Sequence, residues 1–124
     1  MKLLDEFFRV MASQISDTAA TYTVTLNPDH YIFKAHFPGN PITPGVCQMR
    51  MIEELMSSMK GEPLRVSHIN NIKYMNIISP IDNATIDIQL SRIQATDSGY
   101  SVHCMLKGGD VSFTKMNLVL SSKQ

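Results

Sequence analysis

The sequence predicts an α+β domain in which one long helix packs against an antiparallel sheet. Three observations carry that prediction. From Gly45 to about Lys60, apolar residues recur at three- and four-residue spacing, the period of an amphipathic helix. Short segments rich in β-branched and aromatic residues stand on both sides of that run. Between those segments lie clusters of Gly, Pro, Asn, Asp and Ser, the residues of tight turns.

Taken in order, residues 6–14 and 18–26 read as two strands joined by a turn at Ile15–Asp17, with Tyr22, Val24 and Leu26 alternating in the second. A polar break, "NPDH", precedes "YIFKAHF", a short aromatic stretch that fits either a strand or a packed loop. The cluster from Pro38 to Gly45 is excluded from helix, because each proline biases the residue before it towards extended geometry. In the helix, Val46, Met49, Ile52, Met56 and Met59 form an apolar stripe that Met51 and Leu55 widen. Gly61 stops it, with Pro63 just beyond. So much apolar surface on one helix means that it is largely enclosed. The remainder reads as strands, "LRVSHINNIKYMNII", "ATIDIQLSRIQAT", "YSVHCMLK" and "VSFTKMNLVL", separated by "SPIDN", "DSG" and "GGD".

Length and composition bound the function. The 124 residues predict one domain over 1–124, and 44% hydrophobic residues are ordinary for a globular chain. Eleven basic and eleven acidic residues cancel, which gives no reason to expect nucleic acid or an acidic membrane as partner. Asp5, Glu6 and Arg9 interrupt the only early apolar stretch, so neither a signal segment nor a membrane span is expected, and the cytoplasm is the expected compartment. Cys47 and Cys104 form no CxxC pair and read as reduced thiols. Nine methionines and no tryptophan describe an adaptable apolar interior.

The stretch "HFPGNPITPGV" resembles the HFPG-x-P-x-x-PGV signature of the FabZ/FabA-like 3-hydroxyacyl-[acyl-carrier-protein] dehydratases. A second stretch, "INNIKYMNIISPID" at 69–82, is similar to that family's strand after the helix, which commonly reads I-x-N-x-K-F and then V-x-PGD. The resemblance covers most of the chain and implies the hotdog fold, a central helix wrapped by an antiparallel sheet. It also implies reversible dehydration of a 3-hydroxyacyl thioester carried on acyl carrier protein, with no metal or other cofactor. The sites would lie at the interface of a homodimer, with higher assembly left open.

The implied chemistry needs a base to take a proton from C2, an acid to help the C3 hydroxyl leave, and donors for the thioester oxygen. The resemblance assigns the base to His36, whose ring titrates near neutrality. It assigns the oxyanion donor to the backbone N–H of Gly45, at the helix N-terminus, where free amides favour negative charge. Phe37, Pro44, Val46, Gln48 and Arg50 would line the bound thioester, with Gln48 bonding either substrate or the neighbouring loop.

The acid is where this chain departs. The family places Glu or Asp fourteen residues after the histidine, on the partner's helix, and that position here is Arg50. A guanidinium stays charged and has no acceptor lone pair, so it does not replace a carboxylic acid. Several readings stay open. Glu54, about 40° further round the helix, stands as a displaced acid, with Glu53 on the neighbouring flank. Alternatively His36 works alone through water. Or Arg50 and Glu54 form an i,i+4 ion pair and the chain is a binding protein or the inactive subunit of a heteromeric dehydratase. Arg50 could also hold an anionic group on an unusual acyl chain, and whether the pathway is fatty acid or polyene-type biosynthesis stays open. A thioesterase is a weaker alternative, served by Glu53 or Glu54.

Other candidates are weaker. His30, His68 and His103 lack metal-ligand spacing. Cys47 lies near the helix N-terminus, where a thiol pKa can fall. "KGGD" at 107–110 reads as a hairpin turn, since no helix follows it. Lys34, Arg65 and Lys73 are the basic residues available to meet an acidic carrier protein.

Overall fold

The structure is a computed structural model that describes residues 2–35 and 39–122. Strands β1 (Phe8–Ile15) and β2 (Ala20–Leu26) come first, then the short helix α1 (Tyr31–Ala35) and the long helix α2 (Gly45–Lys60). Strands β3 (Leu64–Tyr74), β4 (Thr85–Ala95), β5 (Gly99–Gly108) and β6 (Val111–Ser122) complete the order. The six strands form one antiparallel sheet in the order β1-β2-β4-β5-β6-β3, so β1 and β3 are its edges.

Alternation decides which face of the sheet is inside. Tyr22, Val24 and Leu26 on β2, Ile86, Ile88 and Leu90 on β4, Val102, Cys104 and Leu106 on β5, and Met116, Leu118 and Leu120 on β6 are all buried. Cys47, Met51, Ile52, Leu55 and Met56 of α2 meet them in one apolar cluster. Met51, Ile52 and Met56 are wholly inaccessible, so truncating any of them to Ala removes about 2–5 kcal/mol.

Helix α2 begins and ends where the sequence places it. Pro44 at its N-cap supplies no side-chain oxygen to the first turn, while Gly61 closes it in the left-handed region (φ 70°). The N–H groups of Gly61 and Glu62 both return to the Ser57 carbonyl, which satisfies the helix end. The "GGD" turn is likewise a hairpin, with Gly108 opposite Val111 and Gly109 at φ 57°.

The first strand is Phe8–Ile15 rather than 6–14, the strand after α2 stops at Tyr74 instead of running through "MNII", and two further expectations change. The stretch "YIFKAHF" is neither strand nor loop over its described part: residues 31–35 form α1. Ile32 and Phe33 are adjacent and both buried, a departure from the strict alternation of a half-buried strand. The ring of His30 holds that turn, its Nδ1 accepting the Ile32 N–H at 3.1 Å. Val46, placed in the buried stripe of α2, is instead 68% exposed. The stripe runs through Cys47, Gln48, Met51, Ile52, Leu55 and Met56, and Val46 lies beside it.

Candidate active site

The N-terminus of α2 is fixed to the sheet by a buried polar relay. Gln48 sits in the apolar stripe at 4% exposure, where an amide without partners would be costly. Its Nε2 donates to the Thr43 carbonyl at 3.2 Å, and its Oε1 accepts from the Thr114 hydroxyl at 2.5 Å. Thr114 lies on β6 opposite Tyr74, the last residue of β3. The Thr43 N–H donates to the Ile78 carbonyl, which ties the loop before α2 to the segment after β3. Gln48 thus bonds the neighbouring loop through the Thr43 carbonyl.

These two segments wall a cavity of about 460 Å³, lined by Ile42 to Gly45, Gln48 and Tyr74 to Ile78. The walls are mostly apolar, with Gly45 at the helix start. The Tyr74 ring packs directly over that glycine: a Cβ at residue 45 would stand 2.3 Å from the phenol oxygen and 2.9 Å from Cζ. Glycine is what lets the ring lie there. Thr43 also lines this cavity, and its buried Oγ1 has no hydrogen-bond partner among the described residues.

The middle of α2 serves a different cavity of about 490 Å³, lined by Arg50 and Glu54 together with Lys2, Leu4, Arg65 and others. Both Glu54 oxygens are committed to backbone: Oε2 accepts the Leu3 N–H and Oε1 the Leu4 N–H, each at 2.7 Å. Glu53 Oε2 accepts the Val66 N–H of β3 at 2.7 Å and lies 3.7 Å from Arg65 Nε. Arg50 bridges the two acids, 3.3 Å from Glu53 Oε1 and 3.1 Å from Glu54 Oε2. The guanidinium thus neutralises two half-enclosed carboxylates that fasten the N-terminal turn and the sheet edge to the helix.

The structure therefore brings Pro44, Gly45 and Gln48 together at one cavity, and Arg50 with Glu54 at another. His36 and Phe37 lie outside the described residues. Val46 faces outward beside Gly45. Tyr74 and Thr43 carry little signal in the sequence, apart from a tyrosine standing where the resemblance sets a phenylalanine.

The weaker candidates have structural partners or lie apart. His30 caps α1 and packs edge-on to Phe7 at 5.3 Å, while His68 and His103 are exposed. Among the described residues no group of three or more His, Cys, Asp or Glu side chains is placed to hold a metal ion. Cys47 and Cys104 are free and buried. Burial pushes the Cys47 thiol up, opposite to what a nucleophile at a helix N-terminus needs, and pushes Cys104 up to about 12. Lys34, Arg65 and Lys73 are all exposed. No helix among the described residues is long and apolar enough to cross a membrane.

A long helix seated on one face of a six-stranded antiparallel sheet, with a glycine-opened helix start at a cavity, defines a hotdog-fold protein. Solved structures share this architecture. The dehydratase heterocomplex ApeI:P from Xenorhabdus doucetiae superposes with a TM-score of 0.68 over 90% of this chain and 96% of that one, at 18% identity. An uncharacterized protein from Erwinia carotovora subsp. atroseptica gives 0.66 over 91% and 94%, at 21% identity. Residues 12–112 match the ApeI-like family, that of the ApeI dehydratase, and the chain belongs to that family. More distant relatives are 3-hydroxyacyl-[acyl-carrier-protein] dehydratases FabZ. That of Enterococcus faecalis is 26% identical over 101 residues, 76% of this chain and 69% of the relative. That of Clostridium novyi is 30% identical over 78 residues, 57% of this chain and 54% of the relative. The second match, like that to the Ligilactobacillus salivarius FabZ at 57% of its length, spans little more than half of the curated relative.

Proposed function

We propose that this chain dehydrates a 3-hydroxyacyl thioester, carried on acyl carrier protein, at a site completed by a second hotdog subunit that supplies the acid. The carrying observation is the state of the α2 acids: both Glu54 oxygens and Glu53 Oε2 accept backbone N–H groups, with Arg50 between the two side chains. A carboxylate whose oxygens already accept backbone N–H groups and face a guanidinium is not free to reach the hydroxyl of a substrate. The same commitment weighs against the thioesterase reading, which needs one of these acids to activate water.

In the proposed mechanism the thioester carbonyl lies at the start of α2, where the first-turn N–H groups have no side-chain cap. His36, carried over from the family motif, removes the C2 proton. The oxygen takes up charge against the Gly45 N–H, and the C3 hydroxyl leaves with a proton from the partner's carboxylic acid. The acyl chain runs along the apolar wall of Ile42, Ile77 and Ile78. Exposed Val46, Ile69 and Ile77, with the open edge of β3, offer the surface that a second subunit covers. That a similar fold occurs in a dehydratase heterocomplex supports a partner of different sequence. The reaction is assigned to the cytoplasm, and the chain acts as a single domain.

The test is enoyl formation from 3-hydroxyacyl carrier protein by the purified chain, alone and with an acid-bearing hotdog subunit of the same family. Turnover is expected only, or mainly, in the mixture, and is expected to vanish when His36→Ala is introduced in this chain. Full turnover by this chain alone that disappears in Glu54→Gln would return the acid to Glu54 and overturn the partner-supplied acid.

A further inference from the structure

We infer that Tyr74 is a further catalytic residue, its phenol O–H acting with the Gly45 N–H as a second donor to the thioester oxygen. The inference rests on the functional reading above but not on where the acid comes from. It is carried by a contact: the Tyr74 oxygen overlies Gly45 so closely that any side chain at 45 would collide with it. The backbone that binds the thioester oxygen and the phenol therefore share one small space.

Three features of the fold hold the backbone of residue 74 beside the start of α2. The position is the last of β3, fixed in register opposite Thr114. Thr114 bonds Gln48 in the first turns of α2, so the strand end and the helix start move as one unit. Immediately after Tyr74, the N–H groups of Met75 and Asn76 both return to the Phe113 carbonyl, which stops the strand from extending or sliding. A second observation points to a ligand in the same place. Thr43, 3% exposed, lines this cavity, and its hydroxyl is without a partner among the described residues. A buried hydroxyl is rarely left unpaired in a finished site.

The chemistry is a hydrogen bond, with no proton transferred to the substrate. As His36 takes the C2 proton, electron density moves onto the thioester oxygen and strengthens its bonds to both donors. The tyrosine keeps its proton throughout. Phenylalanine, common at this point of the family motif, would fill the same volume without the donor.

The experiment uses the full chain and a 3-hydroxyacyl-pantetheine thioester labelled with carbon-13 at the carbonyl. The infrared stretch of the bound carbonyl is read in His36→Ala protein, which holds the substrate unreacted, with and without Tyr74→Phe. The expected result is a stretch shifted to low frequency, with part of that shift lost in Tyr74→Phe while the dissociation constant changes less than about threefold. In the His36 protein with its acid-bearing partner, Tyr74→Phe is expected to lower kcat by about tenfold to a hundredfold with KM nearly unchanged, the signature of a donor that acts in the transition state. A shifted carbonyl that Tyr74→Phe leaves unmoved overturns the assignment and leaves the functional reading standing. A thioester that fails to bind at all overturns both.

Discussion

The two ends of the polar surface on α2 behave in opposite ways. At the N-terminus, the proline cap supplies no side-chain acceptor, a glycine admits a phenol, and a buried hydroxyl lacks a partner among the described residues. One to three turns on, Arg50, Glu53 and Glu54 are saturated: the acids accept three backbone N–H groups and share one guanidinium. Charge is therefore a poor guide to chemistry on this helix. The charged cluster is joinery between helix, N-terminal turn and sheet edge, and the nearly uncharged end is where a ligand finds donors. Substitutions at the two ends should separate the same way, the first group altering turnover and the second altering stability.

Among the polar residues of these two regions, the largest loss of stability is expected at Glu54. Glu54→Ala leaves the Leu3 and Leu4 N–H groups without acceptors and Arg50 with one acid fewer, at a side chain only 9% exposed. Loss of charge-assisted bonds of this kind costs about 3 kcal/mol. Urea unfolding should show it, with the N-terminal turn losing hydrogen-exchange protection first. A change below about 0.5 kcal/mol would break the comparison, because it would mean that the acid is not needed where it stands.

A smaller effect is expected at Gln48, which belongs to the ligand end but performs a structural task. Gln48→Leu keeps the volume and leaves the Thr43 carbonyl and the Thr114 hydroxyl unpaired, a cost of about 2 kcal/mol. It should also loosen the Tyr74 strand end, so thermal unfolding and turnover should fall together. A variant that loses turnover at unchanged stability would instead place Gln48 on the substrate.

How much of this was legible in the sequence differs between the same two regions. The bounds of α2 were, because Gly45, Gly61 and a three-four apolar period act locally. The departure at Arg50 was legible too, since a guanidinium cannot do a carboxylic acid's work wherever it points. What the acids bind was not: Leu3 and Val66 reach Glu54 and Glu53 only after the chain ends and the sheet edge have docked. The same holds for Tyr74 and Gly45, whose contact depends on the β3–β6 register. Helix α1 was missed because its turn is held by the His30 ring and by two adjacent buried side chains, neither of which leaves a periodic trace.

The smallest change in stability is expected at Gly45, in spite of a steric conflict. At Gly45→Ala the new methyl would stand 2.3 Å from the Tyr74 oxygen and 2.9 Å from Cζ, so the ring must give way. It can, because the ring belongs to a side chain 55% exposed at the end of a strand, and swinging the phenol towards solvent removes little buried area. Alanine also favours helix over glycine by up to about 1 kcal/mol, which offsets part of the displacement. The net change should stay within about 1 kcal/mol, while turnover falls at least as far as in Tyr74→Phe, since the methyl removes the phenol and crowds the oxyanion position together. A double-mutant cycle with Tyr74→Ala sharpens this. With the ring absent, Gly45→Ala should become stabilising, which gives a favourable coupling between the two substitutions. A penalty of several kcal/mol that persists without the ring would show that the open end of α2 is as rigidly committed as the charged cluster, and the contrast between them would fail.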